Sequence, residues 1–146
     1  MPQIKKIICA IDLSQHSESV ARYAFDFAKA FNAELTFVYA APALTQYVGF
    51  HVPPTSIENF VTEIIAGAEE SMKDFLKNYA QEVDAKGAVL HGYAADEILS
   101  YAGSSGADLI IMGTHGRKGI DRILFGSVAE RVVKSAAIPV MTVRPS

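Results

Sequence analysis

Residues 112 to 127 read MGTHGRKGIDRILFGS. Gly113, Gly116 and Gly126 stand three and then ten residues apart, and Ser127 follows the last of them. Glycine leaves backbone bare, so a ligand can approach its peptide N–H closely. Arg117, Lys118 and Arg122 set against Asp121 (three minus one) leave this stretch at +2, in a chain whose formal net charge is −3. Gly126 and Ser127 are expected at the start of a helix, where unpaired N–H groups and the helix dipole favour an anion. The chemistry these features share is phosphate binding. Each also has a plainer role: the first two glycines in a tight turn, Ser127 as a helix cap, the basic residues in solvent. Their coincidence in one strand–loop–helix unit favours the phosphate reading.

Asp12, at the end of the apolar run IKKIICAI, is the second candidate. A carboxylate at a strand end can accept hydrogen bonds from ribose hydroxyls, or help hold a metal ion already bound to phosphates. It can equally brace the turn into the next helix, and both roles remain open at this level. Other chemistries lack their residues. There is no G-x-x-x-x-G-K-[ST], and the first strand runs into AIDLSQHS rather than G-x-G-x-x-G. His16, His51, His91 and His115 form no H-x-x-x-H or H-E-x-x-H spacing, and there is no G-x-S-x-G elbow. His91 reads as a core or edge histidine rather than a base. The single cysteine, Cys9, excludes a disulfide within one chain and reads as a buried structural thiol. No catalytic residue and no directly held metal are assigned.

The elements that must position these residues follow from hydrophobic patterning. Nearly continuous apolar runs at residues 4 to 11, 33 to 40, 87 to 93, 108 to 113 and 138 to 143 predict strands buried on both faces. Between them lie four helical segments. In the first, Val20, Ala24, Phe27 and Phe31 share a face, with Ser14 as its cap. The second opens on a Thr55–Glu58 capping box after two prolines, and carries Ile57, Val61, Ile64, Ala68, Met72, Phe75 and Tyr79 on one stripe. Gly67 in its middle costs ~1 kcal/mol relative to alanine or marks a bend. The third, DEILSYAG, closes at Gly106, and the fourth opens on a Ser127–Glu130 capping box. Five strands alternating with four helices predict right-handed crossovers and a doubly wound parallel sheet. Such sheets bind ligands at the carboxyl ends of their strands, which brings Asp12, Ala40 and Gly113 to one edge.

The whole chain is consistent with a single domain over residues 1–146, half hydrophobic and one-fifth charged. Its net charge of −3 and pI near 5.8 argue against nucleic acid as a partner. No apolar stretch approaches the roughly 18 residues of a membrane span, so no membrane partner and a soluble, cytoplasmic protein are expected. The segment 42 to 54, PALTQYVGFHVPP, is a long loop that is either functional or merely variable.

In IICAIDLS, GYAADEI, ADLIIMGTHGRKG and FGSVAERVVKSAAIPVMTV, the chain resembles the universal stress protein family, in its single-domain, UspA-like, ATP-binding branch. That branch carries G-x2-G-x9-G-[ST], which Gly113, Gly116, Gly126 and Ser127 satisfy. The resemblance implies a Rossmann-like fold of the adenine-nucleotide alpha-hydrolase type, with five parallel strands in the order 3-2-1-4-5. It implies ATP as ligand, with ADP or AMP as alternatives, and Mg carried by the phosphates. Asp12 would hold the ribose, backbone at Ala40 the adenine edge, and Gly113 would lie near the sugar. Gly116, Gly126, Ser127 and Val128 would cradle the phosphates, with Ala10 and Met112 in the same pocket; Arg117 is added on grounds of charge. Ala40 and Ala94 depart from the bulkier aliphatic and the proline common at these positions.

The resemblance further implies a homodimer through the last strand, residues 138 to 144, whose apolar edge would otherwise stay unpaired. The function expected is a nucleotide-dependent regulator in stress response with slow or no ATP hydrolysis, acting on an unknown protein partner. Two alternatives stand beside it. One is a slow ATPase or a phosphoryl- or adenylyl-transfer enzyme using Asp12, bound Mg and His115 as base; the other is a nucleotide-free dimeric interaction module.

Overall fold

Branched aliphatic residues favour extended backbone, and five such runs form strands: β1 (Lys6–Ala10), β2 (Glu34–Ala41), β3 (Ala85–His91), β4 (Leu109–Gly113) and β5 (Val140–Val143). The helices between them are α1 (Ser17–Phe31), α2 (Pro54–Leu76), α3 (Ala94–Ser105) and α4 (Arg122–Ser135). The structure, a computed structural model, describes residues 3–13, 17–41, 54–77, 83–114 and 122–144, with backbone alone for 54–58, 60–61 and 122–127. The expected 42 to 54 loop, apart from Pro54 at its end, and the Ser14 cap therefore lie outside the described residues.

All four strand pairings are parallel, and the sheet order is β3-β2-β1-β4-β5, as expected. β1 is central, flanked by β2 and β4. Its side chains alternate between two cores: Ile7, Cys9 and Ile11 pack with Val20, Ala21, Ala24, Ala28 and Met72, whereas Ile8 and Ala10 pack with Ile98, Ala102, Ala129 and Val132. The first layer is therefore α1 and α2, the second α3 and α4, the doubly wound arrangement. β1 and β4 are buried on both faces from Ile7 onward and throughout β4. β3 and β5 are only partly buried, because they are the two edges of the sheet. His91, exposed at the end of β3, is an edge histidine. Cys9 is fully buried, and that burial pushes its thiol pKa far up, which keeps it protonated and unreactive.

Helix packing corrects one detail. On α1 the buried stripe is Val20, Ala21, Ala24 and Ala28, small side chains that let the helix approach the sheet. Phe27 is half-buried and Phe31 is 47% exposed. Phe31 has the right angular position, but it lies beside Ile4, Lys5 and Lys6, where β1 is only beginning, so there is little sheet beneath it. On α2 the described part of the stripe holds: Ala68 and Met72 are buried, Ile64 and Phe75 half-buried, and Phe75 meets Phe37 edge-on at 5.0 Å between centroids. Ile57, Val61 and Tyr79 have no described side chain.

The helix ends also differ from expectation in part. α2 starts at Pro54, whose fixed φ suits a first helical position, rather than at a Thr55 cap. It runs unbroken through Gly67, where an added Cβ would meet nothing within 4 Å, so no close packing requires a glycine there. Gly106 does close α3, at φ 72 and ψ 36, with its N–H donating to the Ala102 carbonyl.

Gly87 is a glycine that the fold requires. A Cβ there would strike Met72 Cγ and come within 2.9 Å of Leu76 Cδ1, so α2 sits directly against bare β3 backbone. Gly87→Val is expected to destabilise the fold by about 1–3 kcal/mol, the usual cost of overpacking. Chemical denaturation of the variant measures this, and unchanged stability would mean that α2 does not rest on β3 in this way.

Candidate functional site

The site is the carboxyl edge of the sheet, and its geometry begins with strand order. The chain leaves β1 to one side to build β2 and β3, then crosses to the other side to build β4 and β5. Connections therefore depart in opposite directions from the ends of β1 and β4, which leaves a crevice between them. Ala10 pairs with Met112 at the carboxyl end of the β1–β4 ladder. Both side chains are buried in the core beneath α3 and α4, at 3% and 0% exposure, so what they can offer a ligand is backbone. On the other side of β1, Ala10 pairs with Val38 and the Ile11 N–H donates to the Val38 carbonyl at 2.9 Å. This carries the β1 ladder one residue past the strand and brings the end of β2, with Ala40 half-buried, alongside Asp12.

Asp12 lies two residues beyond β1. Its Oδ1 accepts a hydrogen bond from Ser17 Oγ at 3.0 Å, and its Oδ2 is buried. The bracing role left open by the sequence is thus present: the carboxylate ties the end of β1 to the first residue of α1. Leu13 adopts φ 62, a left-handed conformation that costs a non-glycine residue roughly 1–2 kcal/mol and turns the chain sharply after Asp12. Sequence reading offered Ser14 as the cap of this helix and did not single out Ser17. The signal that could have found it is a hydroxyl five residues after the aspartate, at the first turn of the predicted helix.

At β4 the strand ends on Gly113, fully buried, and Thr114 stays anchored: its N–H donates to the Val143 carbonyl at 2.9 Å, and its Oγ1 contacts the same oxygen at 3.4 Å. Bare backbone therefore reaches the edge between two bonded neighbours, β1 and β5. Gly116 and Arg117 lie outside the described residues. Gly126 and Ser127 are placed differently from expectation. α4 begins at Arg122, so these two residues fall in its second turn rather than at its N-terminus. The reason is local: the RILF run has no breaker and continues the helix backward, and one interior glycine costs only about 1 kcal/mol. Glu130 does not serve a capping box, because its carboxylate pairs with Lys134 Nζ at 2.7 Å, which lowers the Glu130 pKa and raises that of Lys134. Val128 is half-buried against the core under α3 and α4.

The opposite, amino edge carries two clefts of about 450 and 760 Å³. They share Asn32 and Glu34 and mix Lys5, Lys6 and Lys29 with Glu34 and Asp84, so no single charge converges there. The carboxyl edge is the better candidate, because it combines the switch point, backbone bare of side chain at Gly113 and a fixed carboxylate. Among the described residues no group of three or more His, Cys, Asp or Glu side chains could hold a metal ion, and no helix is long and apolar enough to cross a membrane.

Comparison with known proteins places this arrangement. A family model described as the universal stress protein family matches residues 3–144. Universal stress protein MJ0531 of Methanocaldococcus jannaschii is 37% identical over 142 residues, covering 96% of this chain and 82% of that protein. Among solved structures, universal stress protein UspA from Lactobacillus plantarum superposes with a TM-score of 0.83 at 22% identity, over 99% of this chain and 100% of that one. The universal stress protein from Archaeoglobus fulgidus in complex with dAMP superposes with a TM-score of 0.68 at 22% identity, over 99% and 100% of the two chains.

The Asp12–Ser17 pair has a measurable structural weight. Asp12→Ala would leave a buried serine hydroxyl without its acceptor, at a cost of about 1–3 kcal/mol. Asp12→Asn keeps an oxygen acceptor and should lose less. Equilibrium urea unfolding of the two variants compares them; an alanine variant as stable as the wild type would show that the bond carries no load.

Proposed function

The chain belongs to the universal stress protein family, and from that premise we propose that it binds an adenine nucleotide at the carboxyl edge of the sheet and acts as a nucleotide-dependent regulator in stress response. The observation that carries this reading is the G-x2-G-x9-G-[ST] pattern of Gly113, Gly116, Gly126 and Ser127, which begins where β4 meets the switch point beside β1. The dAMP held by the Archaeoglobus relative is in keeping with it.

In this reading ATP is the ligand, with ADP or AMP as alternatives. Backbone at Ala40 meets the adenine edge, Asp12 accepts from the ribose, and Gly113, Ala10 and Met112 form the floor beneath the sugar. Gly116, Gly126, Ser127 and Val128 surround the phosphates through peptide N–H groups, with Arg117 adding charge. In the helix that starts at Arg122, the Gly126 N–H already donates inside the helix. Phosphate binding there therefore requires the first turn of α4 to open. Mg²⁺ would arrive carried by the ATP phosphates, whose charge it would neutralise, and no residue of this chain is assigned as its direct ligand. Hydrolysis in this reading is slow or absent, because the sequence offers no well-placed general base; His115, the base of the enzyme alternative, lies outside the described residues.

Mass spectrometry of what is released when protein purified without added nucleotide is denatured tests the reading. Stoichiometric ATP or ADP is expected, with turnover of added ATP below about 1 s⁻¹. Gly126→Asp, which adds bulk and negative charge, should weaken ATP binding by at least about tenfold. Unchanged affinity in that variant would move the phosphates elsewhere. An empty protein that also fails to bind ATP up to about 1 mM would favour a dimeric interaction module instead.

The same reading includes a homodimer through residues 138 to 144. β5 is a sheet edge whose outer backbone groups have no strand neighbour among the described residues, a liability that pairing with a second copy removes. Sedimentation should give twice the chain mass, and Thr142→Asp, which sets like charges across the pair, should give monomer. A monomeric wild type would end this part of the reading.

A further inference from the structure

Ser17 is a buried polar side chain in an otherwise apolar inner face of α1, at 3% exposure, and its hydroxyl donates to Asp12 Oδ1. It is too deeply placed to be a main contact for a ligand. What it controls is the Asp12 carboxylate. The terminal torsion of an aspartate is broad and roughly two-fold, so an unsupported carboxylate swings and must be ordered when a ligand binds. Here one oxygen is tied to the first residue of a fifteen-residue helix and the other is buried. A carboxylate oxygen has capacity for more than one donor, so accepting from Ser17 does not of itself bar Oδ1 from a ligand hydroxyl.

We infer that Ser17 is a positioning residue that presets the Asp12 carboxylate to accept a ribose hydroxyl, and thereby sets the preference of the site for ribonucleotides over deoxyribonucleotides. The inference rests on the nucleotide reading above and deepens it. It involves no covalent step: Ser17 keeps its proton and donates it in a hydrogen bond before and after the ligand arrives. A serine that only braced α1 would act on every ligand alike, through the fold. A serine that orients Asp12 acts only on ligands carrying the hydroxyl that Asp12 receives.

Calorimetry on the full chain separates these roles, using ATP, 2′-deoxyATP, 3′-deoxyATP and inorganic tripolyphosphate as probes. The wild type should favour ATP by about tenfold over the analogue lacking the contacted hydroxyl, the scale of one hydrogen bond to a charged group. Ser17→Ala should weaken ATP about tenfold and erase that preference, with that analogue and tripolyphosphate unchanged. Ser17→Thr, which retains the hydroxyl, should restore it. If the alanine variant does not fold, Ser17→Cys, nearly isosteric and a weak donor, should give the same loss.

A variant lacking the hydroxyl that keeps the ribose preference, or that weakens all four probes alike, overturns the inference. So does a wild type that binds ATP and both deoxy analogues equally, an outcome that leaves the nucleotide reading standing. A wild type that binds none of the probes overturns both, and is recognised by its silence toward tripolyphosphate as well.

Discussion

The structure depends on the position of β1, paired with β2 on one side and β4 on the other. Parallel strands cannot be joined by a tight turn, so each connection must carry a helix across a face of the sheet. Because the chain builds outward from β1 first in one direction and then in the other, α1 and α2 cover one face, and α3 and α4 the other. That single reversal makes two cores, each lined by alternate residues of the same central strands. It also opens a crevice at the carboxyl edge, where the chain ends of β1 and β4 part.

The edge so created offers mainly backbone. Ala10 and Met112 face each other across the two strands, but their side chains belong to the core beneath α3 and α4. Gly113 has no side chain, and Thr114 is held back toward Val143. In the proposed reading such an edge recognises its ligand by peptide groups and shape and tolerates side-chain substitution, which suits a position such as Ala40. Asp12 is the exception. It contributes a side chain, and the fold spends a buried serine and a left-handed leucine on holding it in place. Fixed geometry around one carboxylate, in an edge otherwise made of backbone, is what singles out Asp12 beyond its role as a brace.

Much of this was legible beforehand for a physical reason: the central strands are buried on both faces, so their signal is a dense apolar run that few other structures imitate. The runs around Ile8 and Ile110 marked β1 and β4, and Gly106 marked a helix end because only a residue at ease in the left-handed region closes a helix that way. The errors fall where local signals compete with tertiary placement. Phe31 has the periodicity of a core residue, yet at the amino edge little sheet lies beneath it. Glu130 has the spacing of a capping box, yet Lys134 one turn on takes its carboxylate. Ser127 has the chemistry of a cap, yet the helix formers before it continue the helix back to Arg122.

The sequence by itself determined the alternation of strands and helices, the identity of the apolar faces, and the glycine-and-cation composition of the loop after β4. These are properties of periodicity and residue type, which act over a few neighbours along the chain. The tertiary structure alone decided that Ser17 meets Asp12, that Gly87 is bare because Met72 lies against it, and that Ala10 stands in register with Met112. Each of these is a contact between separate elements. Their meeting is set by strand register and by how closely a helix can approach the sheet, quantities that no local window of sequence contains.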